Sequence, residues 1–285
     1  MDEQIADLIE ETLGARPARL ATLGGGCVSQ VLRAEMPDGS RVVAKIDRAH
    51  PGALDAEAFS LRFLAERSAL PVPAVLARSG GVLVMEHIEG SPGARGPAEE
   101  HAAGLLADLH TITAPRFGFE RETAIGGLPQ PNPWSDSWLA FFRDRRLCFM
   151  ARCAHDAGRL PAPTLARVER LAARLEEWIT EPAAPSLIHG DVWSGNVLSR
   201  DGAVSGFLDP AIYFAHAEIE LAFITLFSTF GERFFAAYRE RRPIRDGFLE
   251  TRRNLYNLYP LLVHTRLFGG HYTQSVETTL RRFGC

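Results

Sequence analysis

The stretch LIHGDVWSGNVL at residues 187–198 decides how this chain folds and what chemistry it supports. An apolar run ends at a His-Gly-Asp turn that supplies Asp191, and Asn196 follows five residues later. Downstream, the apolar stretch GFL ends in Asp209, thirteen residues beyond Asn196. Two carboxylates and a carboxamide at the ends of neighbouring strands form a compact set of oxygen ligands. Such a set suits Mg²⁺, which binds a few carboxylates together with substrate phosphates.

This spacing is the one used in enzymatic phosphoryl transfer. In that reaction a loop Asp accepts the proton of the acceptor hydroxyl, whereas an Asn and a later Asp hold the metal. The pattern therefore predicts Asp191 as the catalytic base and Asn196 and Asp209 as the metal ligands. The alternative is a structural loop in which Asp and Asn only cap turns. The complete spacing, with a His two residues before Asp191, favours catalysis.

The N-terminal part of the chain contains residues suited to binding phosphate groups. Gly24, Gly25 and Gly26 lie between two predicted strands, where a backbone without side chains can approach a phosphate closely, although a plain hairpin turn is the alternative. Lys45 ends the stretch VVAK and is the only lysine among 31 Lys and Arg residues. A compact ammonium and a guanidinium are not interchangeable at a tight site. Glu57, in the next predicted helix, is a natural ion-pair partner for Lys45.

Hydrophobic periodicity predicts an α+β protein with two lobes. The first lobe, residues 1–88, is a small antiparallel sheet with one main helix, and the second, residues 89–285, is larger and mostly helical. A Gly- and Pro-rich stretch, EGSPGARGP, separates them. Glu86, His87 and Ile88 close the last strand before this linker, and their backbone is the predicted contact for an adenine.

The same patterns place the individual elements. Strands are predicted at 20–23, 27–35, 40–47, 72–77 and 81–88, with a strand-rich segment at 187–211. Helices are predicted at 1–14, 54–69, 97–112, 135–157, 163–180, 216–240, 246–268 and 273–282.

The composition excludes several classes of protein. The chain has 285 residues, of which 46% are hydrophobic and 23% charged, so it is neither disordered nor collagenous. No apolar stretch approaches the roughly 20 residues that a membrane span needs. A net charge of −4 disfavours a nucleic-acid partner. Four cysteines without a paired spacing, and no visible targeting segment, predict a reduced, cytoplasmic protein whose oligomeric state is open.

These motifs resemble those of the fructosamine (ketosamine) 3-kinases, a family of protein-kinase-like small-molecule kinases. The similarity is most specific at HGDVWSGNVL, residues 189–198, and DPAIYFAHAEIELAF, residues 209–223. It also includes GGGCVS at 24–29, VVAK at 42–45, VMEHIEG at 84–90, ADLH at 107–110 and PQPNPWSDSWLAFFRDRRL at 129–147. The resemblance implies a bilobal protein-kinase-like fold. It also implies phosphorylation, by ATP and Mg²⁺, of the 3-hydroxyl of a ketosamine, which is a deglycation-type activity.

Three residues are candidates for the substrate side of such a site. Trp193, two residues after the predicted base, would pack against the sugar or its amine-bearing tail, or else stiffen the loop. His216 and Glu218 are further candidates, although Glu218 or Glu220 would alternatively brace the catalytic loop. The family usually has Gly where this chain has Ala215, so the substrate edge of the site is expected to differ slightly.

Two other functions compete with this interpretation. An aminoglycoside- or choline-type phosphotransferase shares the catalytic set, but polycationic aminoglycosides favour an acidic face. Residues 231–285 contain ten Arg against five acidic residues, which points the other way. A non-catalytic nucleotide-binding scaffold would have no need for Lys45, Asp191, Asn196 and Asp209 together. The motifs leave open whether the acceptor is a fructosyl, ribulosyl or erythrulosyl adduct, free or bound to protein.

Overall fold

A computed structural model describes residues 2–23, 29–48 and 50–285. The N-terminal part is a five-stranded antiparallel sheet in the order β1-β2-β3-β5-β4. Its strands are β1 (Arg19–Leu23), β2 (Gln30–Glu35), β3 (Arg41–Ile46), β4 (Val75–Ser79) and β5 (Val82–Glu86). Two helices accompany the sheet, α1 (Asp2–Leu13) and α2 (Pro51–Arg67).

The turn between β2 and β3 fixes the register of the central strand. The Asp38 carboxylate accepts hydrogen bonds from the backbone N–H and the hydroxyl of Ser40, at 2.9 and 2.6 Å. Gly39 has a φ of 84°, a backbone conformation that favours glycine. In the resulting register, Lys45 on β3 lies opposite Leu83 on β5.

Helix α2 connects the sheet with the rest of the molecule. Its apolar face, which includes Leu61, packs against β5. The rings of Phe59 and Phe63 meet Phe119 edge-on, with ring centroids 6.0 and 5.0 Å apart. Because Glu57 lies on the same helix, packing on both sides fixes its position relative to the sheet.

The remainder of the chain is mostly helical, around a core with the fully buried rings of Trp138, Tyr213 and Phe234. Its α-helices are α3 (Pro97–Leu109), α4 (Trp138–Phe141), α5 (Cys148–Asp156), α6 (Ala162–Ala172), α7 (Glu218–Leu226), α8 (Glu232–Arg241), α9 (Arg253–Phe268) and α10 (His271–Arg282). A π-helical segment, Phe142–Leu147, joins α4 to α5, and a second, Phe248–Arg252, precedes α9.

Short antiparallel strands lie between these helices. They are β6 (Ser91–Pro92), β7 (Thr123–Ile125), β8 (Leu128–Gln130), β9 (Ser186–Ile188), β10 (Val197–Arg200), β11 (Ala203–Phe207) and β12 (Tyr213–Ala215). The α+β architecture expected from the sequence, with a sheet followed by helices, is confirmed. Among the described residues, no helix has both the length and the apolar character that crossing a membrane requires.

Some predicted elements are wrong in their extent. The single helix predicted at 216–240 is two helices, α7 and α8. Between them Ser228 has a φ of 51°, and the N–H of Gly231 donates to the buried carboxylate of Glu99 at 2.7 Å. This polar contact and the left-handed residue end the helix although the apolar periodicity continues. The helix predicted at 163–180 ends earlier, with α6, and β6 and the β7–β8 hairpin were not predicted.

Candidate active site

The His-Gly-Asp turn after β9 is held against the segment that follows Asp209. The N–H of Ala211 donates to the carbonyl of His189 at 2.8 Å. Gly190 has a φ of 87°, and a Cβ at this position would collide with the carbonyl oxygen of Ala211. Glycine is therefore required in the middle of the turn, and the close approach brings Asp191 towards Asp209.

Asn196 fixes the carboxylate of Asp191. Its amide nitrogen donates to the Asp191 carbonyl at 3.0 Å and to the carboxylate Oδ2 at 2.9 Å. Because the nitrogen makes both contacts, the amide oxygen of Asn196 points away from Asp191. The backbone carbonyl of Asn196 accepts from the N–H of Leu208 at 2.8 Å, which ties the loop to the strand end that carries Asp209.

A buried carboxylate braces this turn from the helical side. Glu220 on α7 accepts hydrogen bonds from the backbone N–H of Gly190 at 2.6 Å and of His189 at 3.2 Å. It also lies 2.9 Å from Nε2 of His110, whose Nδ1 is 2.7 Å from the hydroxyl of Tyr238. Burial alone would raise the pKa of Glu220, but its hydrogen bonds and the nearby imidazoles lower it. Glu220 is thus an ionised acceptor that holds the catalytic turn in place.

Lys45 joins the sheet to the catalytic loop. Its ammonium lies 2.6 Å from Oε1 of Glu57 and forms a second ion pair with the carboxylate of Asp209. Burial opposes a charge on Lys45, but the carboxylates of Asp209 and Glu57 outweigh this effect and raise its pKa. Burial raises the pKa of Glu57 to about 7, because attraction to Lys45 offsets burial and repulsion from Asp209 only in part. Lys45 is therefore a fixed cation at the centre of the site.

The protonation equilibrium of Asp191 is strongly perturbed. Burial, and then repulsion from the Asp209 carboxylate, raises the pKa of Asp191 to about 8. The hydrogen bond from Asn196 and the charge of Lys45 act in the opposite direction and are weaker. A carboxyl group with a pKa near neutrality is suited to accepting a proton from a hydroxyl. Such perturbed groups in a cleft are typical of functional sites.

One cavity, of about 640 Å³, brings the predicted chemistry together. Its wall includes six of the residues predicted from the sequence: Lys45, Glu57, Asp191, Trp193, Asn196 and Asp209. The indole of Trp193 lies over Gly195, where a Cβ would collide with it. Trp193 is therefore fixed on its own loop with its ring facing the cavity, beside the predicted base.

Of the predicted nucleotide contacts, Lys45 and Glu57 line this wall. Three residues that were predicted to bind phosphate, Gly24, Gly25 and Gly26, lie outside the residues that the structure describes. Glu86, His87 and Ile88 are not among the residues that line the cavity. Glu86 ends β5, three positions beyond Leu83, the cross-strand partner of Lys45. Strand geometry places Glu86 about 10 Å from Lys45 along the same sheet. His87 and Ile88 follow the end of this strand.

Two of the predicted substrate-side residues make contacts inside the protein instead. Nδ1 of His216 lies 2.7 Å from the hydroxyl of Tyr256, and burial lowers the pKa of His216 to about 4. The carboxylate of Glu218 accepts two hydrogen bonds from the guanidinium of Arg252, at 2.6 and 2.8 Å. Neither residue is part of the cavity wall, so the structure does not support a direct substrate contact for them. Their partners, Tyr256 on α9 and Arg252 on the π-helical segment before it, belong to the same stretch of chain.

Arg146 was not among the residues expected from the sequence, although it supports the cavity wall. It is fully buried, and its Nη2 donates to Oδ1 of Asn132 at 2.6 Å. Its guanidinium lies 3.9 Å from the ring centroid of Tyr213 and 5.6 Å from that of Tyr259. Both rings line the cavity, and a cation over an aromatic face is favourable. No local pattern could reveal Arg146, because these contacts join distant segments.

Asn196 and Asp209, which both line the cavity, are suited to binding Mg²⁺. Within the described part of the chain, no group of three His, Cys, Asp or Glu side chains forms a preassembled metal site. The amide oxygen of Asn196 and the carboxylate of Asp209 are hard donors that line the same cavity. Mg²⁺ is usually held by one or two carboxylates and completed by water and substrate phosphates. The donor set therefore suits an ion that binds together with phosphates.

Fold and site together define a class of enzyme. A Lys–Glu pair between an antiparallel sheet and its helix, facing an Asp-Asn-Asp set on a helical lobe, is the arrangement of protein-kinase-like phosphotransferases. Within this class, the chain belongs to the fructosamine kinase family, whose sequence profile matches residues 1–283. It is accordingly an ATP-dependent phosphotransferase with a hydroxyl group as acceptor.

Named relatives are similar over almost the whole chain. A probable ketoamine kinase of Synechocystis sp. is 32% identical over 98% of this chain and 96% of its own length. A chloroplastic protein-ribulosamine 3-kinase of Arabidopsis thaliana is 31% identical over 96% of this chain and 85% of its own length. The crystal structure of a candidate fructosamine-3-kinase from Thermobifida fusca has a TM-score of 0.86, at 33% identity and 97% coverage of both chains.

Proposed function

We propose that this chain is a ketosamine 3-kinase, which transfers the γ-phosphate of ATP to the 3-hydroxyl of a ketosamine. The observation that carries the proposal is the convergence of Lys45, Asp191, Asn196 and Asp209 on one cavity, in a chain of the fructosamine kinase family. Relatives named ketoamine kinase and protein-ribulosamine 3-kinase support this class of acceptor. The biological outcome is a deglycation-type activity.

The chemistry assigned to the catalytic loop is a single phosphoryl transfer. The oxygen of the 3-hydroxyl forms a bond to the γ-phosphorus, the bond from that phosphorus to the β-phosphate oxygen breaks, and ADP leaves. Asp191 orients the hydroxyl and accepts its proton, which contributes about 10²–10⁴-fold to the rate. Asn196 and Asp209 hold Mg²⁺, which neutralises charge on the phosphate oxygens when it is bound.

The nucleotide side of the site is proposed from the same template. Lys45 contacts the α- and β-phosphates, and Glu57 keeps its ammonium in place. The backbone at residues 24–26 covers the phosphates, and the backbone at residues 86–88 hydrogen-bonds the adenine. Glu86 ends the strand beside Lys45, and His87 and Ile88 follow it directly, which supports this assignment.

This function implies an organisation of the chain and a cellular setting. Residues 1–88 form the nucleotide-binding lobe, and residues 89–285 form the catalytic and substrate-binding lobe. Trp193 packs against the sugar, and its ring on the cavity wall beside Asp191 supports this role. The enzyme works in the cytoplasm on a small-molecule or protein-bound ketosamine, with no nucleic acid or membrane as partner.

The direct test measures ADP release from Mg-ATP with ribulosyl-lysine and fructosyl-lysine as acceptors. An aminoglycoside and choline are assayed in parallel, and the Asp191→Ala variant is the blank. We expect turnover with a ketosamine, loss of that turnover in the variant, and phosphate on O-3 of the product by NMR. Turnover with the aminoglycoside or choline alone would contradict the ketosamine assignment. No turnover of any acceptor, with nucleotide still bound, would contradict the enzymatic function.

A further inference from the structure

The cavity has a second half that the proposed phosphoryl transfer leaves without a role. Beyond Trp193, six residues from the end of α7, from α9 and from α10 form its wall: Phe227, His264, Leu267, Phe268, His271 and Tyr272. We call this half the aromatic chamber. We propose that the aromatic chamber binds the amine half of the ketosamine and selects a secondary ammonium with an apolar substituent over one that carries a carboxylate. This inference rests on the proposed function.

A continuous series of ring contacts leads from the catalytic loop to the protein surface. Ring centroids are 6.4 Å apart between Trp193 and Phe227, 5.0 Å between Phe227 and His264, and 4.8 Å between His264 and Tyr272. Phe268 lies 5.7 Å from His264 and is 46% exposed. The aromatic chamber therefore begins beside the reacting hydroxyl and opens to solvent at Phe268.

The opposite side of the chamber is closed by the turn of the β7–β8 hairpin. Gly126 and Gly127 have φ values of 55° and 76°, as a tight two-residue hairpin turn requires. A Cβ added to Gly126 would lie 2.9 Å from the side chain of Leu267 on α9. Glycine at this turn thus allows the hairpin to approach α9 closely.

The distribution of charge separates the two halves of the cavity. Its carboxylates and its ammonium all lie at the catalytic end: Lys45, Glu57, Asp191, Asp209 and Glu220. Among the described residues that line the aromatic chamber there is no Asp, Glu, Lys or Arg. Nδ1 of His264 lies 2.8 Å from the carbonyl of Pro260, and burial lowers the pKa of His264, so its ring is neutral. Apart from the imidazole of His271, whose ring centroid lies 4.0 Å from that of Tyr272, the described wall of the chamber offers aromatic faces and no fixed cation for an anion.

The chemistry of a ketosamine fits this arrangement. Its nitrogen is attached to C-1, two carbon atoms from C-3, so the nitrogen lies near Trp193 when the 3-hydroxyl meets Asp191. A secondary ammonium is a cation, and aromatic faces attract cations. An apolar substituent on the nitrogen is stabilised by burial. A carboxylate in the same place would lose its water without gaining a cationic partner.

The test compares two acceptors that differ by one carboxylate, the ribulosyl adducts of benzylamine and of 4-(aminomethyl)benzoate. With the full-length enzyme and saturating Mg-ATP, we expect kcat/KM to be roughly tenfold or more higher for the benzylamine adduct, because the carboxylate is desolvated without a partner. Equal values would overturn this inference and leave the proposed function intact. Absence of turnover with both adducts would instead contradict the proposed function.

A variant with an added cation makes the test independent of substrate shape. Phe268→Arg places a guanidinium at the exposed rim of the chamber, where it can pair with the benzoate. The preference for the benzylamine adduct should fall roughly tenfold, through a higher kcat/KM for the benzoate adduct. Leu76→Arg adds the same charge at an exposed position of β4 outside the cavity and should leave the preference unchanged. An unchanged preference in Phe268→Arg, or equal changes in both variants, would overturn the inference.

A secondary ammonium with an apolar substituent has two natural sources, a small free amine and the side chain of a lysine in a protein. A ribulosylated protein, used as a third acceptor, separates them. Turnover comparable to that of the benzylamine adduct assigns the chamber to lysine side chains that enter past Phe268. Turnover confined to the small adduct assigns it to free amines. Either result supports binding of an apolar substituent in the chamber and identifies whether that substituent belongs to a free amine or to a protein lysine.

Discussion

The catalytic end and the aromatic end of the cavity are built in opposite ways. At the catalytic end ionised groups meet each other, and Lys45 lies between the carboxylates of Glu57 and Asp209. At the aromatic end ring faces meet, and burial keeps His264 neutral. Directional polar contacts fix the geometry where phosphate is transferred, whereas shape and apolar burial fix it in the aromatic chamber.

This contrast determines what substitutions should do. A change at the catalytic end removes a group with a defined position and should lower kcat. A change at the aromatic end removes a contact surface and should alter only the efficiency with which particular acceptors are used. The following predictions test this division, beginning with the largest expected effect.

The Asp191→Asn substitution should cause the largest loss of activity. It removes the proposed proton acceptor but preserves shape, so kcat should fall by about 10²–10⁴-fold. Burial and the Asp209 carboxylate raise the pKa of Asp191 to about 8, well above its value in an unfolded chain. As the pH rises above the unfolded pKa, only the unfolded chain releases the proton of Asp191, which lowers the stability of the folded state, and a neutral Asn avoids this loss. Thermal unfolding at pH 7 should therefore show no loss of stability; a lower melting temperature would contradict this sign.

The Glu220→Gln substitution should impair catalysis without touching the substrate. An amide can accept one of the two backbone hydrogen bonds at the catalytic turn, but its NH₂ then faces a donor. A buried mismatch of this kind costs about 1–3 kcal/mol of stability. A small displacement of the turn should lower kcat by roughly 10- to 100-fold. The KM for ATP should not change.

Glu218→Gln is the matched control for Glu220→Gln, because both carboxylates are buried on α7. Glu218 is paired with Arg252 and lies away from the cavity wall. This variant should lower stability but leave kcat and the acceptor KM within about twofold. A large rise in the KM for the acceptor would instead indicate that Glu218 contacts the substrate.

The pKa of His216 makes the stability of the fold depend on pH. Burial lowers the pKa of His216 to about 4, whereas in the unfolded chain it binds a proton near pH 6.5. Its contribution to stability is complete above pH 6.5 and is lost as the pH falls towards 4. From pH 7 to pH 5, the free energy of unfolding should fall by about 2 kcal/mol more in wild type than in His216→Gln. Urea unfolding at both pH values measures this difference, and equal falls would refute it.

The catalytic end could be predicted from the sequence because its residues follow each other at short, defined spacings. Asp191 and Asn196 share one loop, and Asp209 ends the strand after the next hairpin. Lys45 and Glu57 could be added because a strand followed by a helix brings them together in a known way. Spacing and this strand–helix arrangement together predicted five groups that the structure finds on one cavity wall.

The aromatic end could not be predicted, because it depends on how distant helices pack. Phe227 follows the last residue of α7, at a break that the apolar periodicity hides, and meets His264 from α9. The position of His216 likewise depends on a contact between distant segments, its hydrogen bond with Tyr256 on α9, which the sequence does not reveal. One local signal was available: the pair Gly126-Gly127 between two short apolar stretches is typical of a hairpin turn.

Phe227→Leu should produce the smallest effect and the most specific one. Leucine keeps an apolar surface but removes a ring face, and a cation over such a face is worth about 0.5–1 kcal/mol at accessible sites. The kcat/KM for the ribulosyl-benzylamine adduct should therefore fall roughly two- to fivefold, with kcat and the KM for ATP unchanged. Phe235→Leu, at a partly buried ring on α8 outside the cavity, should leave all three parameters unchanged. If Phe227→Leu lowers kcat as Glu220→Gln does, the two ends of the cavity are one coupled unit and the division between them fails.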